Sequence, residues 1–251
     1  MVPDRVYFAY GVGSNGVMQV VDRTALLNPA ITDYTTAELG RLIMNPDNGA
    51  HTSLPLGNVT VADWTVDTGN TQGNVRDVVM VTSEAGGAFC AEVRHLTFSV
   101  DVTFEGRPQS IDTFQVPASS GKFCDRGGRF GPHATNEEFG PPFYQKIVFV
   151  SYFNAGVRAI DVRDPYNLKE VAFYIPAINP ISPALGGTDF RCGTLNGTPN
   201  VCRQVIQTNN VATDDRGNIF IVDRANTGMH VLRLTGSAAR IAGLDGDGDD
   251  D

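Results

Sequence analysis

The amino-acid sequence predicts an all-β protein of the β-propeller type. A short block recurs four times. Each copy is an apolar, β-branched run, a turn with glycine, and a second run in which apolar and polar residues alternate. The copies span 5–23, 78–102, 147–164 and 218–234. Such self-similarity is typical of repeat architectures, and glycine turns between alternating runs are typical of β-hairpins. Helix signal is almost absent, since the best stretch, 35–44, is short and interrupted by glycine.

Each hairpin turn carries residues that tolerate a positive φ angle. These are Ser14-Asn15-Gly16, Gly86-Gly87, Asn154-Ala155-Gly156 and Asn226-Thr227-Gly228. A third strand is predicted after each of the first three hairpins, at 38–44, 111–116 and 170–175. Propeller repeats are therefore expected over 1–238, in units of approximately 5–44, 51–117, 133–176 and 208–235. Loops are predicted at 45–76, 119–145 and 177–206, which are dense in Gly, Pro, Asn, Thr or Ser, and an acidic tail or linker at 239–251.

A β-sandwich is the alternative fold because it also uses many short strands, but it does not need repeats that resemble each other. About four recognisable units leave two arrangements for a propeller. Either the four close on themselves, or they are the C-terminal part of a larger ring. The second arrangement is favoured because the chain opens directly on a repeat strand. An incomplete ring has unpaired strand edges, which predicts self-association.

The net charge of −9 argues against a nucleic-acid partner, because phosphate binding requires a basic patch. No part of the sequence approaches the run of about 18 apolar residues that a transmembrane helix needs. The opening residues MVPDRVYFAY have neither the basic start nor the long apolar stretch of a signal peptide. The chain is therefore interpreted as a mature or trimmed segment of a longer precursor.

The four cysteines predict two disulfides. Cys192 and Cys202 bracket a polar loop, and a bridge there would stabilise the fold by about 2–3 kcal/mol. Cys90 and Cys124 are the second candidate pair. The alternatives are unrelated thiols or a metal site, although no C-x-x-C spacing occurs. An even cysteine count favours an oxidising, extracytoplasmic location, which could be secreted, periplasmic or at the cell surface.

One segment carries a resemblance to a known family. It spans 148–176 and reads VFVSYFNAGVRAIDVRDPYNLKEVAFYIP, with a turn ending in Gly156, a strand ending in Ile160-Asp161, and an Asp164-Pro165 turn. It resembles the LVIVD repeat, a β-propeller repeat of largely uncharacterised bacterial secreted and surface proteins. Residues 208–235 resemble a further copy, although Arg233 replaces the aspartate that ends the strand. The resemblance implies a propeller and a surface role, and it implies no reaction.

Two histidines hold the same place in the repeat. His51 and His133 both stand where an innermost strand begins, and Asn210 takes that place in the fourth unit. In a propeller this position lines the central channel, so the three side chains are expected to converge, with Glu137 nearby. Imidazole suits zinc or copper, and propellers similar to the selenium-binding and lactonase families place a metal at such a site. The alternative, which the sequence favours, is a structural histidine that hydrogen-bonds neighbouring blades.

Two further segments are candidate ligand sites. Arg126 and Arg129 lie among glycines, where guanidinium groups could grip a carboxylate or phosphate. The alternative, which the sequence favours, is a structural loop held by Cys124 and by salt bridges to glutamate. In the tail, Asp245, Asp247 and Asp249 have the alternate spacing of a calcium loop, and a disordered acidic linker is the alternative favoured there.

The sequence thus predicts an extracytoplasmic LVIVD-type propeller. It would act as a binding or adhesion scaffold, take a protein or small-molecule ligand at its loop face, and have no assigned reaction. The alternative is a metal-dependent propeller enzyme, either a lactonase-like hydrolase or a copper oxidase. Its ligands would be His51 and His133, with Asn210 and Glu137 nearby.

Overall fold

Antiparallel strands form five small sheets in the computed structural model, which describes residues 4–12, 15–44, 47–61, 73–180 and 192–244. The protein is therefore all-β, as its alternating sequence runs predict. Among the described residues, no helix has both the length and the apolar character needed to cross a bilayer.

The first two sheets are simple meanders in which consecutive strands pair. The first contains β1 (Arg5–Tyr10), β2 (Val17–Asp22) and β3 (Glu38–Ile43). The second contains β4 (Thr52–Thr60), β5 (Val75–Thr82), β6 (Thr97–Asp101) and β7 (Gln109–Phe114). Strand β4 lies inside the stretch 45–76, so the loop predicted there from composition is wrong for these residues: β4 pairs with β5, a tertiary contact that composition does not report.

The remaining sheets repeat this pattern. The third contains β8 (Ile147–Ser151), β9 (Val157–Asp161) and β10 (Lys169–Tyr174). A separate hairpin follows, made of β11 (Cys192–Leu195) and β12 (Thr198–Cys202). The fourth repeat sheet contains β13 (Thr208–Thr213), β14 (Ile219–Asp223) and β15 (Met229–Leu232). The hairpin was not expected, because its polar residues lack the apolar alternation that identifies a buried strand.

Within the described ranges, helical segments are few and short. The α-helices are α1 (Arg23–Leu26) and α2 (Gly236–Ala242), and 3₁₀ turns occur at Tyr34–Ala37, Ala118–Gly121 and Phe123–Asp125. The absence of helix signal in the sequence agrees with this content.

A short segment before β8 extends the third sheet. Thr135 forms an isolated antiparallel bridge with Val150 of β8. This segment therefore stands beside β8 as β4 stands beside β5, so the second and third sheets have corresponding edges.

The core lies between consecutive sheets, and β5 shows why. Its residues from the third onward are buried on both faces. Val78 and Met80 belong to an apolar cluster shared with the third sheet, whereas Val79 and Val81 belong to a cluster shared with the first. Side chains alternate along a strand, so a continuous apolar run fits a sheet that is covered on both sides. A third cluster joins the third and fourth repeat sheets.

A glycine closes the tight turn between β8 and β9. Gly156 has a φ of +79°, and a Cβ atom there would lie 2.0 Å from the carbonyl oxygen of Tyr174. Glycine is therefore required by both backbone angle and space. The turn residue predicted from the sequence thus also permits close approach of β10.

Candidate metal centre

Three side chains that can bind a metal converge at one end of the second and third sheets. They are His51, Glu84 and His133, and each offers a ligand atom within 4.8 Å of the other two. The Nε2 atom of His51 lies 3.9 Å from Oε2 of Glu84, and Nε2 of His133 lies 3.7 Å from Oε1. Both imidazoles thus direct the same nitrogen at one carboxylate.

The repeat places the two histidines. The backbone N–H of His51 donates to the carbonyl oxygen of Thr82, the last residue of β5, over 2.8 Å. The N–H of His133 donates to the carbonyl of Ser151, the last residue of β8, over 2.9 Å. Because β5 and β8 are corresponding strands of adjacent sheets, the imidazoles meet, with ring centroids 4.4 Å apart.

The hydrogen bonding of His133 fixes which nitrogen carries its proton. Its Nδ1 atom lies 2.6 Å from the backbone carbonyl oxygen of Asn209, in β13. A carbonyl oxygen can only accept, so Nδ1 is the protonated nitrogen. In the neutral imidazole, Nε2 then has a lone pair and no hydrogen. That lone pair faces an oxygen of Glu84, which also can only accept when it is ionised.

Nε2 of His133 and Oε1 of Glu84 are thus both acceptors 3.7 Å apart, and a cation between them would be bound by both. A proton on Nε2 would serve, but burial lowers the pKa of His133, and its neighbour His51 lowers it further. The hydrogen bond to Asn209 and the charge of Glu84 oppose these effects without cancelling them. The neutral form of His133 is therefore favoured at neutral pH, and neutral imidazole is the form that can bind a metal ion.

His51 provides the more open side of the cluster. Its Nδ1 atom lies 2.8 Å from the hydroxyl oxygen of Thr52, which holds the ring from behind. The side chain is 30% exposed, against 10% for His133. Solvent or a ligand can therefore reach the cluster past His51.

A guanidinium group braces the carboxylate. The NH1 atom of Arg129 donates to Oε1 of Glu84 over 2.8 Å and approaches the carbonyl of Ala85 at 3.4 Å. The guanidinium also lies 5.4 Å from the centre of the Phe153 ring. Oε1 of the carboxylate therefore accepts from Arg129 and also faces His133, whereas Oε2 faces His51.

The spacing suits a transition metal after a small contraction. Zinc binds nitrogen and oxygen at about 2.0–2.2 Å in tetrahedral geometry, which places ligand atoms about 3.3 Å apart. The ligand-atom separations here exceed that value by about 0.4–1.5 Å, within reach of modest side-chain rotation. Two histidines and one glutamate are a ligand set of catalytic zinc, and such sites keep a fourth position for water or substrate.

The structure brings together some predicted site residues and separates others. His51 and His133 meet. Glu137 is exposed, and Glu84 stands where a carboxylate was expected. The side chain of Asn210 accepts a hydrogen bond from the side-chain amide of Asn209. The residue that contacts the cluster is Asn209, whose backbone carbonyl accepts from His133.

The other predicted sites divide in the same way. Arg126 donates to the carbonyl of Gly121 and lies over the Phe123 ring at 4.6 Å, so it has different surroundings from Arg129. The aspartates at 245, 247 and 249 lie outside the described residues.

Both disulfides are present, one joining Cys90 to Cys124 and the other Cys192 to Cys202. These bridges indicate an oxidising, extracytoplasmic environment.

No protein-family model matches the chain, and no curated protein matches it. The resemblance of 148–176 to the LVIVD repeat therefore stays a prediction.

Proposed function

We propose that the four repeat sheets are consecutive blades of a β-propeller of the LVIVD type. Support comes from the corresponding inner edges of the second and third sheets and from the apolar clusters between consecutive sheets. Radial stacking buries both faces of each sheet in this way. In such a propeller the metal-binding cluster lies at the axial ends of the inner strands.

We further propose that the protein is a metal-dependent hydrolase of the extracytoplasmic space. One observation carries this proposal: the lone pair of His133 Nε2 faces a carboxylate oxygen of Glu84 at 3.7 Å, with His51 beside both. The ligand set favours zinc over the copper oxidase alternative, because histidine and carboxylate together are typical of hydrolytic zinc.

The chain's own residues would hold and orient the site. His51 and His133 would donate lone pairs to the metal, and the carbonyl of Asn209 keeps His133 in the tautomer that can bind. Arg129 holds the carboxylate of Glu84 in place through a 2.8 Å hydrogen bond. A bound zinc ion would supply Lewis acidity and lower the pKa of its water to about 7.

The first test is direct metal analysis of protein purified without chelator, followed by zinc titration in a calorimeter. We expect one zinc per chain. His51→Ala, His133→Ala and Glu84→Gln should each weaken zinc binding by at least about 100-fold, more than the 10–100-fold typical for groups that merely orient a ligand. At a zinc concentration 100 times Kd, binding should add about 2.7 kcal/mol of stability.

The matched control is His230→Ala. This half-exposed histidine contacts Tyr174 and is not part of the cluster, so its loss should leave zinc affinity unchanged. If wild-type protein binds no zinc or copper, or if the cluster variants bind as well as the control, the metal proposal fails. The binding or adhesion scaffold then becomes the better proposal.

A further inference from the structure

We propose that the protein pairs head to tail with a second copy of itself, so that the outer face of its first sheet packs on the outer face of the partner's fourth repeat sheet. Each of these two sheets has one apolar face that no other described sheet covers. Two copies joined in this way would close a ring with twice the repeat sheets of one chain, within the range of about four to eight blades known for propellers. The inference uses the packing of the sheets and is independent of the metal centre.

The first sheet has an exposed apolar outer face. The side chains that face the second sheet, Met18 and Val20, are both 0% exposed. Strand register and the alternation of side chains place Phe8, Tyr10 and Ile43 together on the opposite face. These three are 41%, 43% and 64% exposed. The outer face of the first sheet is therefore apolar and open to solvent.

The fourth repeat sheet has the same imbalance between its faces. Ile219 and Ile221 point to the third sheet and are at most 3% exposed. The register of β14 and β15 places Val222, Met229 and Val231 on the other face. They are 47%, 64% and 56% exposed. This outer face is thus also an uncovered apolar surface.

The corresponding faces of the third sheet are buried. Val148 and Val150, which face the second sheet, are both 0% exposed, as befits the kind of face that is open on the first sheet. Val157 and Ala159, which face the fourth repeat sheet, are 4% and 3% exposed, and their places in the repeat are those of Met229 and Val231. Each junction within the chain therefore joins one face of each kind. The two open faces are the two halves of a further junction of this kind, and a second copy supplies the complement of each.

Charge at the edge of the two faces is complementary. Asp101, which ends β6 in the second sheet, accepts a hydrogen bond over 3.1 Å from the hydroxyl of Tyr166, in the connection after β9 of the third sheet. This place in the repeat therefore contacts the next sheet. In the fourth repeat sheet it holds Arg233, which is exposed, and the corresponding connection of the first sheet carries Asp33, also exposed. An arginine opposite an aspartate favours the first sheet as the surface that covers the fourth.

The two faces are large enough for a stable pair. Three strands about 20 Å long and about 4.8 Å apart cover about 280 Å² in plan. A closed ring of two copies buries both outer faces of each copy, and the relief of the side chains raises the accessible area above the plan area. Each copy would thus bury an area on the order of the ~800 Å² per partner of a standard interface.

The test measures the dimer dissociation constant of the full chain by sedimentation over concentrations of about 1–100 μM. We expect wild-type protein to form a species of twice the chain mass. Tyr10→Glu and Val231→Glu should each weaken the dimer at least tenfold, because each places a charge in both interfaces. The matched control is Val93→Glu, the same change at a valine that is 44% exposed between β5 and β6, and it should stay within twofold of wild type. Far-UV circular dichroism checks that all variants remain folded.

A mixture of the two variants distinguishes head-to-tail pairing from pairing of like faces. Tyr10→Glu and Val231→Glu, mixed in equal amounts, should recover dimer, since the mixed pair has one interface with neither substitution. Arg233→Glu should also weaken the wild-type dimer at least tenfold. Its control is Arg216→Glu, at an exposed arginine of the same sheet that pairs with Asp214, which should leave the dimer unchanged.

Three results would overturn the proposal. Wild-type protein that is monomeric at about 100 μM would show that the open faces do not bind a second copy. Loss of the dimer in only one of the two glutamate variants, or no recovery in their mixture, would show that like faces pair. Assemblies that grow beyond two copies with concentration would exclude the closed ring, because head-to-tail contacts that do not close form filaments.

Discussion

The disulfide between Cys90 and Cys124 should matter to the metal centre as well as to stability. Cys90 lies in the loop that follows Glu84, and Cys124 lies in the loop that leads to Arg129 and His133. Backbone hydrogen bonds also join these loops, from Ala85 N–H to Pro132 and from Phe89 N–H to Gly128, each over 3.0 Å. The bridge therefore ties together the two loops that supply most of the cluster.

The size of the effect follows from the loops that the two disulfides close. The sequence separation is 34 for Cys90–Cys124 and 10 for Cys192–Cys202. The chain-entropy relation gives a stabilisation of about 3.8 kcal/mol for the first and about 2.7 kcal/mol for the second at 25 °C. The longer loop should thus cost about 1.1 kcal/mol more to open. For a chain of this length, that corresponds to a Tm about 2–4 °C lower.

The double variants Cys90→Ala/Cys124→Ala and Cys192→Ala/Cys202→Ala allow a matched comparison by calorimetry and zinc titration. The first pair should have the lower Tm and about 10–100-fold weaker zinc binding, because the ligand loops lose their tie. The second pair should keep zinc affinity within about threefold. Equal zinc affinity in the two variants would refute the view that the bridge orders the centre. A larger Tm loss in the second pair would refute the loop-length estimate.

Three further substitutions test a buried hydrogen bond, a close packing contact and a buried carboxyl group. Tyr152→Phe removes the hydroxyl that accepts from the buried N–H of Val116 at 3.2 Å, so urea unfolding should show a loss of about 1–3 kcal/mol; a loss below about 0.5 kcal/mol would contradict this. Gly128→Ala places a Cβ atom 2.6 Å from Nε2 of Gln207 at a φ of +67°, so the Tm should fall; an unchanged Tm would show that the side chain of Gln207 is not fixed in this position. Burial raises the pKa of Asp77, so its contribution to stability is complete below the unfolded-state pKa and is lost as pH rises through the folded-state pKa. The free energy of unfolding of Asp77→Asn, measured relative to wild type, should therefore be more favourable to the variant at pH 7 than at pH 3. An equal difference between variant and wild type at both pH values would contradict this.

The repeat made much of the fold predictable from sequence. Alternating apolar runs and glycine turns are local signals, so the hairpins of the repeat sheets could be placed without tertiary information. His51 and His133 could be paired for the same reason, because equal phase in a repeat implies equal position in neighbouring sheets. The disulfides followed from cysteine count and loop composition.

The rest of the centre had no local signal. Glu84 stands two residues beyond β5, and the residue at the same distance beyond β8 is Phe153, so the repeat does not mark it. Its partner Arg129 is 45 positions away, and that contact depends on how two long loops fold together. Asn209 contacts His133 through its backbone carbonyl. Every residue has that group, so the sequence gives no signal for this contact.

The hydrogen bonds of His133 separate the two roles that the sequence left open. A structural histidine satisfies both ring nitrogens with groups of its own chain. Here Nδ1 donates to the carbonyl of Asn209. In the neutral ring Nε2 is an acceptor, and Glu84, which faces it, is also an acceptor when ionised and gives it no hydrogen bond. Glu84 offers that nitrogen no hydrogen, and burial disfavours the protonated ring. We therefore propose that the position between Nε2 of His133 and the carboxylate of Glu84 suits a metal ion, which His51 would help to hold.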